Sequence, residues 1–356
     1  MTTGQNSGEL DPLLQITESE RAEMHRLMER GKLPDELDRS GDRYFKYLFG
    51  RQERSALLLD LLNSLFSTLG HPRLDSLSLR NSEIVPCGAE KKLSRLDIRA
   101  VDEEGKRVII ELQKAGHEHF VERGLYYWSK DYAEQLDIGS TYMKLEPTIM
   151  VALLGFDLFA GDLKSVWDFL LMNPGSGKIL TRDEILIYVE MKKFPTTIRG
   201  LHRKAKELGY ELSNEERLTA WGAYIVNSET GVELLKDAAT KDPVFRKVEE
   251  TEKRYWNTPE ARYLQFMESI AEMDRLTFIE DATKRGLAEG RSAGLAEGLA
   301  EGRSAGLAAG LAAGLAEGER KKALEMARGL LGLGVDVDKI AEASGLSREE
   351  VLSLRG

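Results

Sequence analysis

Two short apolar segments separated by a polar turn constrain this chain more than any other feature of its sequence. Residues 93–101 and 107–114 are both rich in Ile, Val and Leu, and five polar or glycine residues separate them. Such runs predict two strands joined by a tight connection. A three-residue loop at 103–105 gives Gly105 the position that needs a positive φ, which glycine adopts without steric cost. The sequence therefore predicts a β-hairpin.

The register of this hairpin brings two carboxylates together. If Val101 pairs with Arg107, each step away from the loop moves one residue along both strands, and Asp97 faces Glu111 with Cβ atoms about 5 Å apart. Two carboxylates at that separation repel each other unless a cation lies between them. Carboxylate oxygens are ligands for hard divalent cations. The pair therefore predicts a metal site.

Alternation along both strands separates an apolar face from a polar one. The apolar face carries Leu96, Ile98, Ala100, Ile110 and Leu112. The polar face carries Arg95, Asp97, Arg99, Ile109, Glu111 and Gln113. Like charges directly opposite each other destabilise a hairpin, which favours the metal site. A second interpretation stays open, in which the hairpin is a solvated edge and Arg95 and Arg99 neutralise the carboxylates.

Several sequence blocks stand in a fixed order around the hairpin. They are 42–50 (DRYFKYLFG), 57–65 with Asn63, 94–100 (SRLDIRA), 108–113 (VIIELQ), a block with Phe120, Arg123, Tyr127, Tyr132, Gln135, Gly139 and Tyr142, and Leu145-Glu146-Pro147 before an apolar run at 148–156. Together they resemble the PD-(D/E)XK nuclease superfamily, and within it the recombination-promoting nucleases or putative transposases of bacteria. The resemblance covers residues 38–160 well and extends more loosely to about 280.

The resemblance implies a fold and an activity. The fold is α/β, a restriction-endonuclease-like core with a mixed central sheet flanked by helices, followed by a helical region and a helical tail. The activity is metal-dependent hydrolysis of DNA phosphodiester bonds, linked to recombination or to the processing of mobile elements and defence against them. The implied cofactor is Mg²⁺ (or Mn²⁺), held by Asp97, Glu111 and the backbone carbonyl of Leu112.

Further site residues follow from the same resemblance. Asp42 is the implied auxiliary acidic group, and Gln113 stands where the superfamily typically has a lysine. A glutamine can orient water by hydrogen bonds but brings no charge, so this departure places turnover in doubt rather than the fold. Lys114 is expected to point to the opposite face of its strand. The implied DNA-contacting residues are Lys46, Arg95, Arg123, Tyr127 and Gln135, with core packing as the alternative for Arg123 and Gln135.

Charge argues against tight binding of a nucleic acid. The formal net charge is −10, whereas affinity for DNA rests on neutralised phosphates. Weak, transient contact with DNA is therefore expected. One basic run stands out, and it consists of Lys192, Lys193, Arg199, Arg203, Lys204 and Lys206. Two interpretations of it remain open, contact with DNA phosphates or a solvated helix face.

Composition divides the chain into five segments. These are a polar leader (1–37), the nuclease core (38–160), a helical region (161–285), a Gly-x-x-x repeat (286–318) and a small helical hairpin (319–356). An amphipathic helix is predicted near Glu18–Arg30. Start signals predict further helices at Thr181, Ser213 and Thr258.

The repeat places glycine at every fourth residue from Gly286 to Gly318. Each interior glycine costs about 1 kcal/mol relative to alanine, so an isolated helix here is marginal. The segment is either a helix-prone spacer or an oligomerisation helix, and self-association through this tail is the expected protein contact. Residues 336–354 predict two short helices, interpreted as a docking or dimerising hairpin, with DNA reading as the alternative.

The remaining composition excludes several classes of protein. Cys87 is the only cysteine and the five histidines show no zinc spacing, so neither an intramolecular disulfide nor a zinc site is expected. No signal peptide or membrane-length apolar run is present, which predicts a cytoplasmic protein without a membrane partner, and no nucleotide cofactor is expected. Two other functions stay open: a catalytically weak nuclease fold that serves as a DNA-binding or assembly module, and a complex in which the tail carries the function.

Overall fold

A six-stranded mixed sheet lies at the centre of the fold. The structure, a computed structural model, describes residues 11–84, 94–116, 119–136 and 139–355. Its strands are β1 (Ser78–Leu79), β2 (Glu83–Ile84), β3 (Ser94–Arg95), β4 (Ile98–Val101), β5 (Arg107–Gln113), β6 (Thr148–Leu154), β7 (Val166–Leu170) and β8 (Glu184–Glu190). The sheet order is β1-β4-β5-β6-β8-β7, and β2 pairs with β3 separately. Strands β5, β6 and β8 are parallel, and the outer strands are antiparallel to their neighbours. The predicted α/β fold with a mixed sheet is confirmed.

Eleven α-helices lie within the described residues, and several of them flank this sheet. They are α1 (Glu18–Glu29), α2 (Asp42–Phe49), α3 (Ser55–Leu69), α4 (Phe120–Ala133), α5 (Pro195–Leu208), α6 (Asn214–Ile225), α7 (Glu229–Ala238), α8 (Pro243–Trp256), α9 (Pro259–Gly332), α10 (Val337–Ser344) and α11 (Arg348–Ser353). Thr17 and Ser213 each form a capping box with a glutamate three residues later, which satisfies free N–H groups at the helix start. The predicted starts of α1, α6 and α9 are confirmed.

The hairpin has the predicted register. Val101 pairs with Arg107 and Ile98 with Ile110, and Gly105 has a φ of +91° in the loop. The ladder ends there, because Asp97 lies in a bend between β3 and β4. The bend breaks the side-chain alternation, so Leu96 packs against Ile109. The prediction that Leu96 shares the apolar face of Ile98 is wrong for this reason.

Each face of the sheet is covered by different helices. On one face, Ile149, Val151 and Leu153 of β6 belong to the main core, together with apolar residues of α2, α3 and α6. On the other face, Met150 and the alternate residues of β6 pack against Phe120 of α4. This two-sided burial explains why β6 reads as a continuous apolar run in the sequence. The hairpin is thereby held between α2 on one side and α4 on the other.

The prediction of helices throughout residues 161–285 is wrong for the first part of that segment. Strands β7 and β8 lie there, and β8 pairs in parallel with β6. The signal at Thr181 resembles a helix start, but Asp183 accepts a hydrogen bond from Tyr132 through its side chain and one from Thr148 through its carbonyl. The apolar, β-branched run that follows is buried on both faces, which favours a strand. Helices begin only at Pro195.

Residues from Ala271 onward form a second compact unit. The last turns of α9 pack with α10 and α11 around a small core that includes Ala327, Ile340 and Val351. The two short helices lie where the sequence predicts them. Around the nine repeat glycines the described residues leave open space, since a Cβ built at each would meet no atom within 4 Å. Spacer and oligomerisation helix both remain predictions for this segment.

None of the helices within the described ranges combines the length and apolarity needed to cross a membrane.

Candidate active site

The carboxylates of Asp97 and Glu111 each accept a hydrogen bond from a backbone N–H of the facing segment, at the point where β4 begins. The Leu112 N–H donates to Asp97 Oδ2 at 2.8 Å, and the Asp97 N–H donates to Glu111 Oε1 at 3.2 Å. The bend before β4 makes this possible, because it frees the Asp97 N–H from the ladder and turns the carboxylate towards β5. These two bonds join the Asp97 segment to β5, so the two predicted carboxylates lie near each other without forming a regular cross-strand pair.

Burial gives this pair unusual electrostatics. Glu111 is only 7% exposed. Its burial and then the nearby Asp97 charge raise the pKa of Glu111 to about 8. Burial also raises the pKa of Asp97; the Lys46 charge opposes that rise and the Asp42 charge adds to it. Glu111 is buried and Asp97 is half-buried, and two neighbouring carboxylates in such surroundings favour a bound cation, which would stabilise their charged forms.

Helix α2 supplies a cation and a further carboxylate. Its apolar residues, among them Phe45 and Leu48, are buried in the main core, which leaves Asp42 and Lys46 one turn apart at the rim. Lys46 Nζ lies 2.9 Å from Asp42 Oδ2 and 3.0 Å from Asp97 Oδ1. Burial alone would lower the pKa of Lys46, but the two carboxylates outweigh it and raise the pKa. Lys46 is therefore a fixed positive charge beside Asp97.

Helix α4 approaches the pair from the other face of the sheet. Arg123 Nη2 donates to Gln113 Oε1 at 2.6 Å, and the Gln113 amide donates to the Ala115 carbonyl at 3.2 Å. Tyr127 packs beside Ile109, and its burial, with the Glu111 charge, raises its pKa. The Tyr127 hydroxyl is therefore protonated at neutral pH. Arg123, Gln113 and Tyr127 line the α4 side of the carboxylates.

One of the two arginines predicted to neutralise the carboxylates is engaged elsewhere. Arg99 pairs with Asp131 and Glu134 of the α4 region, so the idea that it neutralises the carboxylate pair is wrong. Asp131 is fully buried, and an uncompensated buried charge is costly, which explains why Arg99 is held there. The side chain of Arg95 lies outside the described residues.

Gln135 does not join the site either. Its amide nitrogen donates to the Glu146 carbonyl at 2.8 Å and to Thr148 Oγ1 at 3.1 Å. Its amide oxygen accepts from the Glu146 N–H at 2.8 Å. Through these bonds the Gln135 amide holds the chain that enters β6. The alternative of a structural role therefore suits Gln135 better than contact with a DNA phosphate.

The oxygen atoms around the pair suit a hard divalent cation. In a strand, the N–H and C=O of one residue face the same neighbour, so the Leu112 carbonyl is directed to the side from which Asp97 approaches. Two carboxylates and one carbonyl, completed by water, match the oxygen-only preference of Mg²⁺ or Mn²⁺. Among the described residues no group of three or more His, Cys, Asp or Glu side chains is placed to hold a metal, so the fit depends on this carbonyl and on water.

Sequence reasoning missed the contact between Lys46 and Asp97. It assigned Lys46 to DNA, although its spacing of four residues from Asp42 on a largely apolar helix marks both as rim residues. The expectation for Lys114 holds: its Nζ binds Asp38 Oδ2 at 2.7 Å, away from the carboxylate pair.

Comparison with known proteins identifies one family. A family model described as PD-(D/E)XK nuclease family transposase matches residues 39–282. The match includes α2, the hairpin with both carboxylates and α4. Searches of curated proteins and of solved structures each found no match to this chain.

Proposed function

Since the chain belongs to the PD-(D/E)XK nuclease family transposases, we propose that it is a metal-dependent endonuclease that hydrolyses phosphodiester bonds of DNA. The observation that carries this proposal is a pair of backbone hydrogen bonds, from Leu112 N–H to Asp97 and from Asp97 N–H to Glu111, which hold the two carboxylates near each other with Glu111 buried. Such an arrangement is costly without a cation, and a structural hairpin does not need it. The family description supports a role in the recombination or processing of mobile DNA.

Asp97, Glu111 and the Leu112 carbonyl would hold Mg²⁺ or Mn²⁺. When bound there, the ion supplies an activated water and neutralises charge on the scissile phosphate. The hydrogen bonds from Leu112 and Asp97 fix the two carboxylates before the ion arrives. Preorganisation of this kind lowers the reorganisation needed at the moment of reaction.

Lys46 provides the positive charge that Gln113 lacks. Its ammonium lies 3.0 Å from Asp97, where it can stabilise negative charge that develops on the phosphate. Asp42 acts as the positioning residue, because its 2.9 Å contact holds Lys46 at the rim of α2. Arg123 and Tyr127 lie on the α4 side, where a guanidinium and a hydroxyl are suited to phosphate oxygens.

A second function has its own supporting observation. Both polar groups of Gln113 are occupied, by Arg123 and by the Ala115 carbonyl, so it is poorly placed to orient an attacking water. Together with the net charge of −10, this favours a catalytically weak nuclease fold that binds DNA or assembles a complex.

Plasmid nicking separates the two functions. The full-length protein is incubated with supercoiled plasmid, with and without Mg²⁺ or Mn²⁺, beside Asp97→Asn/Glu111→Gln. The matched control is Glu103→Gln, because Glu103 is an exposed carboxylate of the hairpin loop. We expect metal-dependent nicking that falls at least about 100-fold in the double variant and persists in the control.

Two results would contradict the proposal, the first at its assigned carboxylates and the second at the nuclease activity itself. Nicking that survives the double substitution would exclude these carboxylates. A folded wild-type protein that binds plasmid but never nicks it with either metal would favour the binding module.

A further inference from the structure

The carboxylate site opens onto one edge of the sheet. Gln113 pairs with Leu154 and Leu154 pairs with Glu190 across the parallel strands. Parallel strands end at the same edge, so the residues that follow them, Lys114 and Lys192 among them, lie along that edge. This is the edge at which Glu111 and Gln113 are found.

A groove of about 460 Å³ runs along this edge. It is lined by Ser40, Lys114, Gly155, Lys192, Val226 and Ser228. Ser40 precedes α2 and its Asp42 by two residues, and Lys114 directly follows Gln113. The Gly155 N–H donates to the Gln113 carbonyl at 2.8 Å, so the groove adjoins the end of the strand that carries Glu111, and Lys192 forms another part of its lining.

Three residues of the basic run, one of which lines the groove, have no acidic partner among the described residues. Lys193, Lys204 and Lys206 are ion-paired with Glu190, Glu216 and Asp237. Within the described part of the chain, no carboxylate forms an ion pair with Lys192, Arg199 or Arg203, and all three are exposed. The basic run of the sequence thus divides into a neutralised half and a half with available charge.

Two of the three available cations lie on one side of α5, and the third precedes this helix. Arg199 and Arg203 are four residues apart, which places them on one helix face. Lys192 lies in a short 3₁₀ turn that runs directly into α5. Ile198, Leu201 and Ala205 occupy the opposite, buried side. Lys192 thus lines the groove, and the helix that follows it carries the other two cations on its exposed face.

We propose that Lys192, Arg199 and Arg203 bind the phosphate backbone of duplex DNA that enters the carboxylate site along this groove. The proposal rests on the proposed nuclease function and assigns its substrate a path on the protein. DNA is the occupant that the charges favour: a row of unpaired cations in a chain of net charge −10 suits a ligand with evenly spaced negative charge. The basic surface supplies position along the duplex and not base recognition.

The test measures the salt dependence of binding without cleavage. A fluorescein-labelled 30-bp duplex is titrated with full-length protein in EDTA from about 50 to 200 mM NaCl. The variant is Lys192→Gln/Arg199→Gln/Arg203→Gln, and the control is Lys204→Gln/Lys206→Gln on the same helix. Each lost phosphate contact reduces the slope of log K against log salt by about 1, so we expect a reduction of about 3 in the triple variant. The control should keep the wild-type slope, and equal melting temperatures show that all proteins are folded.

The outcomes distinguish the surface from the active site. An unchanged slope in the triple variant overturns the proposed surface, even if plasmid nicking is intact. A reduced slope in a protein that never nicks DNA would support DNA binding at this surface and contradict the proposed nuclease function. Displacement of the duplex by polyglutamate at equal charge concentration would overturn the assignment to DNA and favour an acidic protein segment.

Discussion

Lys46 Nζ lies 3.0 Å from Asp97 Oδ1, so a helix that begins at Asp42 supplies a cation to the carboxylate pair. The superfamily that this chain resembles typically places a lysine on the strand, two residues after the glutamate. Here that position is Gln113, whose oxygen accepts a hydrogen bond from Arg123. Positive charges therefore lie near the carboxylates on both faces of the sheet, Lys46 on α2 and Arg123 on α4.

Lys46→Ala should reduce metal-dependent cleavage by about 100-fold, the loss seen when one preorganised charge-stabilising group is removed. Duplex affinity in EDTA should change little, because the lost charge lies at the cleavage point rather than along the groove. Initial nicking rates and anisotropy titrations measure the two effects. Lys236→Ala, which alters an exposed lysine of α7, is the control, and Lys46→Arg should retain part of the rate. An equal loss of rate in the control variant would show that Lys46 has no specific role in cleavage.

Without metal, the protein should lose stability as the pH rises from about 4.5 to 8. The pKa of Glu111 is raised to about 8, so the folded state keeps a proton that the unfolded chain has already released, and stability falls with pH. The fall is at most about 1.4 kcal/mol per pH unit. Glu111→Gln removes this titration, so its stability relative to the wild type should increase across the same range. Urea unfolding in EDTA at several pH values tests this, and parallel wild-type and variant curves would contradict it.

Gln113→Lys should not restore a superfamily-like site. The substitution places an ammonium against Arg123, whose guanidinium now donates to Gln113 Oε1 at 2.6 Å, and it removes that acceptor. A loss of about 1–3 kcal/mol in unfolding free energy is expected. Adding Arg123→Gln should recover part of it, because the repulsion disappears. Urea unfolding of the wild type, both single variants and the double variant gives the coupling energy, which should be at least about 0.5 kcal/mol. Additive effects would show that the two side chains do not interact.

Gly105→Ala should destabilise the hairpin more than a substitution at a comparable glycine. The φ of Gly105 is +91°, and a Cβ there would lie 3.0 Å from Glu146 Cγ. A left-handed conformation costs a residue with a Cβ about 1–2 kcal/mol, and the contact with Glu146 adds to this. Gly161→Ala is the matched control, since Gly161 has a φ of +87° and no atom within 4 Å of its Cβ position. Equal losses of unfolding free energy would show that the contact with Glu146 has no effect.

The hairpin was predictable because its determinants are local. The loop length, Gly105 and the alternation of apolar residues fix the register of β4 and β5, and these lie within about twenty residues of each other. The exception is Leu96, which the bend at Asp97 moves to the other face. No periodicity rule detects such a bend, since it depends on the hydrogen bonds that Asp97 and Glu111 form once both strands are in place.

Strand β8 shows the opposite case. Its apolar run fits a buried strand or a buried helix by pattern alone, and the polar residues from Thr181 resemble a helix start. The parallel pairing with β6 decides between them, and that pairing joins segments more than thirty residues apart. Distant partners of this kind leave no local signal.

The hairpin, the two carboxylates across it and the family could all be predicted from the sequence, because turn chemistry, side-chain alternation and ordered motifs are properties of neighbouring residues. The charged groups that surround the carboxylates depend on tertiary packing and could not be predicted in this way. Lys46 contacts Asp97 because α2 packs its apolar face on the sheet, and Arg99 turns away because Asp131 is buried on α4. Electrostatic contacts act through space, and the distances between these groups are set by how helices and sheet pack together.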